Sequence, residues 1–226
     1  MNASASNRNS SAEAGFTLVE IAIVLVIIGL LLGGILKGQE MITQAKIKNV
    51  VNDFNGITVA VTSYQDRYRF LPGDDKGATA RWTTPASGDG DGVILGKYNA
   101  TTAGATPTGA EESNLFWQHL RLAGFVPGVT TGAGTGTQPL NAAGGMIGVQ
   151  NAVTAGVGLG FTGLTICSAN IPDKVASAVD IQMDDGNSQT GQVRAQLGGS
   201  TPDLGTTAAT SYVETGVNQY LVCKMF

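Results

Sequence analysis

Charged and catalytic side chains are scarce in this chain of 226 residues. Charged residues make up 13% of it, against about 25% in a typical globular protein. With two cysteines and one histidine, a tetrahedral Cys/His zinc site is difficult to assemble. The formal net charge is −4, which argues against a nucleic-acid partner because nucleic-acid-binding domains carry a basic face. These shortages favour a protein that is not an enzyme and requires no nucleic acid.

The overall composition excludes two further classes of protein. Apolar residues make up 42% of the chain, which is too many for intrinsic disorder of the charged, polar kind. The 32 glycines follow no G-X-Y period, which excludes a collagen-like chain. The length suits one domain with an additional segment, or at most two small domains.

The apolar residues are concentrated near the N-terminus. Of the 21 residues from 16 to 36, 16 are Ala, Val, Ile, Leu or Phe, and the only charged residue is Glu20. As an α-helix this stretch spans about 31 Å, which is the thickness of the hydrocarbon core of a membrane. The sequence therefore predicts one helix that crosses a membrane.

Three interpretations of this segment compete. A secretory signal peptide has a shorter apolar region followed by a small-residue cleavage site, and Lys37-Gly38-Gln39-Glu40 after Leu36 offers no convincing site. A plain signal anchor fits the length but leaves Glu20 unexplained, because a carboxylate inside a membrane is costly and is functional by default. The third interpretation explains Glu20 together with the residues before it.

The residues around Glu20 form a specific motif, Gly15-Phe16-Thr17-Leu18-Val19-Glu20, which heads the apolar run. It resembles the processing site of type IV pilins and of the related pseudopilins of type II secretion. The resemblance implies that residues 1–15 are a leader, that a prepilin peptidase cleaves the Gly15–Phe16 bond, and that the new amine of Phe16 is methylated. It also implies that this amine pairs with Glu20 of a neighbouring subunit during assembly, since either charge left unpaired in hydrocarbon is expensive.

The resemblance carries a prediction of function and location. The chain is expected to be a structural subunit, a major or minor pilin, of a type IV pilus or pilus-like filament in the envelope of a Gram-negative bacterium. Its expected partners are the prepilin peptidase and other copies or other pilins in a helical filament. It would cross the inner membrane once before assembly and then join a periplasmic or extracellular filament, for which adhesion is one use.

Two other functions remain open at this point. A pseudopilin of a type II secretion system is the close alternative, because it shares every N-terminal feature. A membrane-anchored binding or enzymatic domain is the remote one. Such a domain would require a pocket with clustered carboxylates or aromatic residues, whereas this sequence has only scattered ones.

Beyond Lys37 the apolar residues recur at steps of three and four, as on one face of a helix. This stripe consists of Ile47, Val50, Phe54, Ile57, Val61, Tyr64 and Tyr68. It predicts that the helix continues to about Tyr68, so that residues 16–36 form its membrane or filament-core half and residues 37–70 its amphipathic half. Two helices hinged near residues 33–38 are the alternative.

Residues 71–226 are predicted to form a globular head of the α+β class, in which an antiparallel sheet with long Gly/Thr-rich loops packs against the N-terminal helix. A helix is expected at Glu111–Leu122 and a short one after Pro172. Short apolar runs bounded by turn residues indicate strands. The predicted strands are Met146–Val149, Val157–Phe161, Val179–Met183 and Tyr220–Val222.

The two cysteines, Cys167 and Cys223, are an even pair, which predicts a disulfide in an oxidising compartment. The pair also resembles the C-terminal disulfide loop of many pilins. Closing a loop of this length is worth about 4 kcal/mol in the chain-entropy model. Two free buried thiols are the alternative.

Two acidic loops are weak candidates for metal sites, and one histidine is a weak candidate for a catalytic residue. Asp89 and Asp91 lie at alternate positions in the run from Ser87 to Ile94, as ligands do in calcium loops, but the closing Glu of an EF-hand is missing. Asp-Gly turns without metal are therefore favoured over a calcium site. Asp184-Asp185-Gly186-Asn187 is interpreted as a hairpin turn. His119 has no Ser or Cys motif beside it and is interpreted as a surface or core histidine.

Overall fold

The computed structural model confirms the α+β class. It describes residues 17–83, 86–100, 111–132, 134–151, 159–198, 204, 208 and 211–226. The helices are α1 (Leu18–Tyr68), α2 (Ala78–Arg81), α3 (Glu112–Leu122) and α4 (Asp173–Met183). The strands are β1 (Ile147–Asn151), β2 (Leu164–Pro172), β3 (Val193–Leu197) and β4 (Gln219–Met225).

Helix α1 is a single element of 51 residues with no break at residues 33–38, so the two-helix alternative is wrong. The chain divides into two compact units, one ending at Ile42 and the other beginning at Thr43. In the first unit the large apolar side chains of α1 are exposed. By length and composition this helix is capable of crossing a membrane.

In the second unit the predicted stripe of α1 faces the core. Its members from Ile47 to Tyr64 are buried, and Tyr68 packs at the edge of the same cluster. Residues three and four apart lie on one face of a helix, so this spacing turns one side of α1 towards the sheet. Each large apolar side chain buried in this way contributes about 1.5–3 kcal/mol.

The four strands form one antiparallel sheet in the order β1-β2-β4-β3. Alternate residues of a strand point to opposite faces. Ile166 of β2 and Val222 of β4 accordingly join the cluster under α1, α3 and α4. Leu221 of β4 joins a second cluster, on the other face, with Tyr98. Both faces of the sheet are therefore covered.

The predicted disulfide joins Cys167 of β2 to Cys223 of β4. The two residues are direct partners in the strand register, with their Cα atoms 4.0 Å apart. Both are fully buried in the second cluster, on the face of the sheet opposite α1. The alternative of two free thiols is wrong.

Two of the predicted strands are wrong and two are confirmed. Met146–Val149 and Tyr220–Val222 overlap β1 and β4. Val179–Met183 is instead the second half of α4, because the helix that follows Pro172 continues to Met183 and buries Val175, Ala176 and Val179. The turn after it therefore joins a helix to β3 and is not a hairpin turn. Within the predicted strand Val157–Phe161, residues 157 and 158 lie outside the described residues, and Leu159 and Gly160 form a turn.

Candidate functional site

The predicted processing site lies at the beginning of α1. Gly15 and Phe16 fall outside the residues that the structure describes, so the predicted cleavage and methylation sites remain predictions. The description starts at Thr17, directly before the first helical residue, Leu18. The geometry around Glu20 is therefore the part of this site that the structure reveals.

Thr17 and Glu20 cap the N-terminus of α1. The backbone N–H of Thr17 donates to Glu20 Oε2 at 2.9 Å, and the backbone N–H of Glu20 donates to Thr17 Oγ1 at 3.3 Å. This reciprocal pair is a capping box, which satisfies two of the backbone donors that a helix N-terminus leaves without a partner. The Thr17 hydroxyl also donates to Glu20 Oε2 at 2.9 Å. The cap fixes the first turn of the helix and holds the carboxylate beside it.

Both hydrogen bonds that Glu20 accepts end on the same oxygen, Oε2. Within the described residues the other oxygen, Oε1, accepts no hydrogen bond. The surrounding side chains are apolar and exposed: Leu18, Val19 and Ile21 have 85%, 64% and 48% of their surface accessible. The site therefore consists of one carboxylate at the positive end of a helix dipole, with an oxygen available to a cation.

His119 occupies the core, which is one of the two positions predicted for it. Its Nδ1 accepts a hydrogen bond from the backbone N–H of Gly73 at 2.9 Å, and its Nε2 lies 3.0 Å from the carbonyl oxygen of Ala86. This pattern requires the neutral ring with its proton on Nε2. Burial lowers the pKa of His119 to about 4. The histidine thus anchors two loop segments to α3, and its full burial keeps it from acting as a general base on an outside substrate.

A network of polar side chains surrounds the end of α1. The Tyr64 hydroxyl donates to Asp75 Oδ2 at 2.6 Å, and Arg81 forms an ion pair with the same oxygen. The guanidinium of Arg81 also lies over the ring of Tyr68, 4.6 Å from its centroid. Asp75 Oδ1 accepts the backbone N–H of Gly77 at 2.8 Å, so both oxygens of this buried carboxylate have donors, as a buried charge requires. The network fixes the loop after α1 against the end of the helix.

Asp89 and Asp91, the candidate calcium ligands, lie beside a third carboxylate, that of Asp74. One carboxylate oxygen from each of the three lies within 4.8 Å of the others, which is close enough to hold a cation. Asp74 Oδ1 accepts the backbone N–H groups of Gly90 and Asp91 at 2.6 and 3.1 Å. Its Oδ2 accepts the N–H of Gly92 at 2.8 Å. The aspartate that organises the loop is thus Asp74, which lies outside the predicted calcium motif.

These bonds are the ones that acidic turns make without a metal. Asp89 Oδ1 accepts the N–H of Asp91, and Asp91 Oδ1 accepts the N–H of Val93. Glu112 lies under the same loop and accepts the N–H groups of Asp89 and Leu95. Burial is the main cause that raises the pKa values of Asp74 and Glu112, against the opposing effect of these backbone donors. These hydrogen bonds account for the conformation of the loop, and the preference for a turn without calcium stays a prediction.

A second acidic group follows α4, where Asp180, Asp184 and Asp185 also bring one carboxylate oxygen each within 4.8 Å of the others. Asp180 Oδ2 accepts the hydroxyl of Tyr212 at 2.5 Å, and Asp185 Oδ2 accepts the hydroxyl of Thr190 at 2.5 Å. Asp184 accepts backbone N–H groups at the beginning of β3. These carboxylates join α4 to β3 and to the segment before β4.

Comparison with known proteins supports the N-terminal motif. Residues 10–36 match the family model of the prokaryotic N-terminal methylation motif, the hallmark of the prepilin-type signal of type IV pilins and pseudopilins. No curated protein and no solved structure matches the chain. The matched segment includes the predicted cleavage site, Glu20 and the apolar part of α1.

Proposed function

We propose that this protein is a structural subunit, a major or minor pilin, of a type IV pilus or pilus-like filament, with no catalytic activity of its own. One observation carries the proposal: the methylation motif lies at the head of a helix that is long and apolar enough to cross a membrane. Many identical apolar helices can leave a membrane only if they bury one another, as in the core of a filament.

Processing is the first step of the proposed function. A prepilin peptidase hydrolyses the Gly15–Phe16 bond, which leaves a carboxylate on Gly15 and an amine on Phe16. A methyl donor then transfers its methyl group to this amine, and the nitrogen releases a proton. The absence of a side chain at Gly15 allows the peptidase to approach the backbone closely. A secondary amine still accepts a proton, so Phe16 becomes a cation at the beginning of α1.

Assembly is the second step. The charged amine of Phe16 in one subunit pairs with Glu20 in the next, because neither charge is tolerated alone among apolar helices. Among the residues that the structure describes, none donates to Oε1 of Glu20, which supports this pairing, since Oε2 already accepts the capping bonds of its own helix. The subunit would wait in the inner membrane as a single-pass protein and then enter a periplasmic or extracellular filament.

The decisive experiment is the intact mass and N-terminal fragment spectrum of the protein from native membranes and from sheared surface material. A chain that begins at Phe16 with one added methyl group is the expected result. A chain that retains residues 1–15, or one cut after Leu36, would overturn the proposal. Gly15→Val should block processing. Ala14→Val, which places the same valine side chain one position earlier, should permit it.

The same experiment separates the two filament classes. A pilus projects from the cell, so its processed subunits appear in the sheared fraction. A pseudopilin of a type II secretion system carries the same motif but forms a short periplasmic assembly. Processed protein that is confined to the membrane fraction would therefore favour the pseudopilin.

A further inference from the structure

The second unit carries an apolar groove on its surface, between α1 and the segment that follows α3. Its walls include Ile57 of α1, Trp117 of α3, and Val126 and Leu140 from the loops beyond. Together with Asp53 and Gly56 of α1 these residues define the α1–α3 groove, which has a volume of about 290 Å³. The α1–α3 groove is large enough for one side chain of a partner and the backbone that carries it.

Asp53 places a carboxylate in the wall of the α1–α3 groove. The side chain is half-buried, and in the part of the chain that the structure describes it has neither a hydrogen bond nor an ion pair. Burial raises the pKa of Asp53. A carboxylate in an apolar wall is costly unless a cation or a donor accompanies it. The α1–α3 groove is therefore complementary to a positive charge.

Gly56 of α1 also lines the α1–α3 groove. It lies in the interior of α1, is exposed, and has no atom within 4 Å of the position that a Cβ would take. Glycine is unfavourable in a helix relative to alanine, and the described residues provide no steric reason for it here. A helix surface without a side chain permits another chain to approach closely.

Lys48 provides the complementary charge on the same helix. It is exposed and forms no ion pair within the described ranges. It precedes Asp53 by five residues, which is about 140° around the helix axis, so the two side chains of one copy face different directions. In parallel copies displaced along the axis by about 7.5 Å, however, Lys48 of one copy is level with Asp53 of the next.

We propose that the α1–α3 groove receives Lys48 of a second copy of this chain, with the ammonium group at Asp53 and the aliphatic stem along the apolar wall. Lysine stems commonly cover apolar surface in this way. Different faces of the two copies meet, and such a heterologous contact repeats into an open helical array. The contact rests on the proposed function, in which parallel copies of the chain lie side by side in a filament.

Photo-cross-linking in the full-length chain tests the contact. A photoreactive phenylalanine analogue replaces Asn52, an exposed residue at the rim of the α1–α3 groove, and cells are irradiated before the membranes are collected and filaments sheared. The expected product is a dimer of this chain whose cross-linked peptide contains the region of Lys48. A product with another protein only, a dimer linked elsewhere, or no product would overturn the inference.

Charge exchange provides the control. Lys48→Asp and Asp53→Lys should each lower the dimer yield about tenfold, because like charges would then face each other. The double variant should restore the yield. Asp66→Lys, a reversal at an exposed position of α1 away from the groove, should leave it unchanged. Failure of the double variant to restore the yield would overturn the proposed pairing.

Gly56→Ala separates docking from folding. It should raise the thermal midpoint of the subunit and lower the dimer yield, a combination that simple misfolding does not produce. The N-terminal mass is measured on the same samples. A processed, sheared subunit that gives no cross-link disproves only the contact with the groove, whereas an unprocessed chain disproves the proposed function itself.

Discussion

At the scale of single residues, His119 anchors the head through a hydrogen bond that only its unprotonated Nδ1 can accept. Its Nδ1 accepts a backbone N–H from Gly73, so a protonated ring would place one N–H against another. Its pKa is about 4 in the folded chain and about 6.5 when unfolded. The unfolded chain therefore binds a proton first as the pH falls, and folding opposes protonation at this site.

This difference makes the stability of the head depend on pH. As the pH falls from about 6.5 to about 4, the His119 contribution to the free energy of unfolding should decrease by roughly 3 kcal/mol in total. Denaturant unfolding at several pH values measures it. His119→Asn, whose side-chain oxygen also accepts the N–H of Gly73 but does not titrate, is the reference. The raised pKa values of Asp74 and Glu112 increase the free energy of unfolding as the pH falls. This opposing effect is the same in the wild type and in the His119→Asn variant, so the comparison removes it. Equal pH dependence in the two would contradict the prediction.

Asp74 supports its loop more strongly than either predicted calcium ligand does. It accepts three backbone N–H groups, whereas Asp89 accepts one. Asp74→Asn removes an acceptor and the charge, so we expect a loss of about 1–3 kcal/mol, and a much smaller loss for Asp89→Asn. Thermal unfolding with and without EDTA measures both effects. We expect EDTA to leave the wild-type midpoint unchanged; a decrease that calcium reverses would establish a metal site instead.

At the scale of elements, the sheet depends on a close contact at Gly148 of β1. A Cβ there would overlap the backbone carbonyl of Tyr98, which crosses the outer face of the sheet. Gly148→Ala should therefore cost about 1–3 kcal/mol by overpacking. Gly163→Ala is the matched control, because no atom lies within 4 Å of its Cβ position. A difference in denaturant midpoint between the two variants is expected, and equal midpoints would contradict the contact.

Some of these elements were predictable from the sequence and others were not. The stripe of α1 has a clear 3.6-residue period, and in α3 the buried Leu120 follows the buried Phe116 and Trp117 by four and three residues. Strand β2 was missed because it is buried on both faces while carrying Thr, Ser and Asn, so neither alternation nor a long apolar run marks it. The end of α4 was mistaken for a strand because a short apolar run has no decisive period.

The residues of the candidate site also divide into those that were predictable from the sequence and those that were not. Glu20 was identified from the motif, and its partner Thr17 was recognisable from the Thr-x-x-Glu spacing of a capping box. Asp74 was not predictable, because the N–H groups that it accepts belong to residues 16 to 18 positions further along the chain. The α1–α3 groove likewise brings together α1, α3 and two loops, and only the folded chain places these in contact.

At the scale of the whole molecule, substitution can separate the capping role of Glu20 from the assembly role that we propose for its charge. Glu20→Gln keeps the capping box, which accepts either residue, but removes the charge. Thr17→Ala removes the cap and keeps the charge. We expect Glu20→Gln to be processed at Phe16 yet absent from sheared filaments, whereas Thr17→Ala should still assemble. Immunoblots and N-terminal masses of both fractions measure this, and equal assembly of the two variants would contradict a role for the charge.

The position of β4 has a consequence for the timing of biogenesis. It is the last of the four strands in the chain, yet it lies between β2 and β3. During synthesis β2 and β3 therefore emerge with a gap between them, and the cross-link from Cys167 must wait for Cys223. A chain interrupted anywhere before Gln219 cannot close its sheet. Synthesis of the final strand thus serves as a checkpoint, since only a chain that includes β4 can close the sheet of the head.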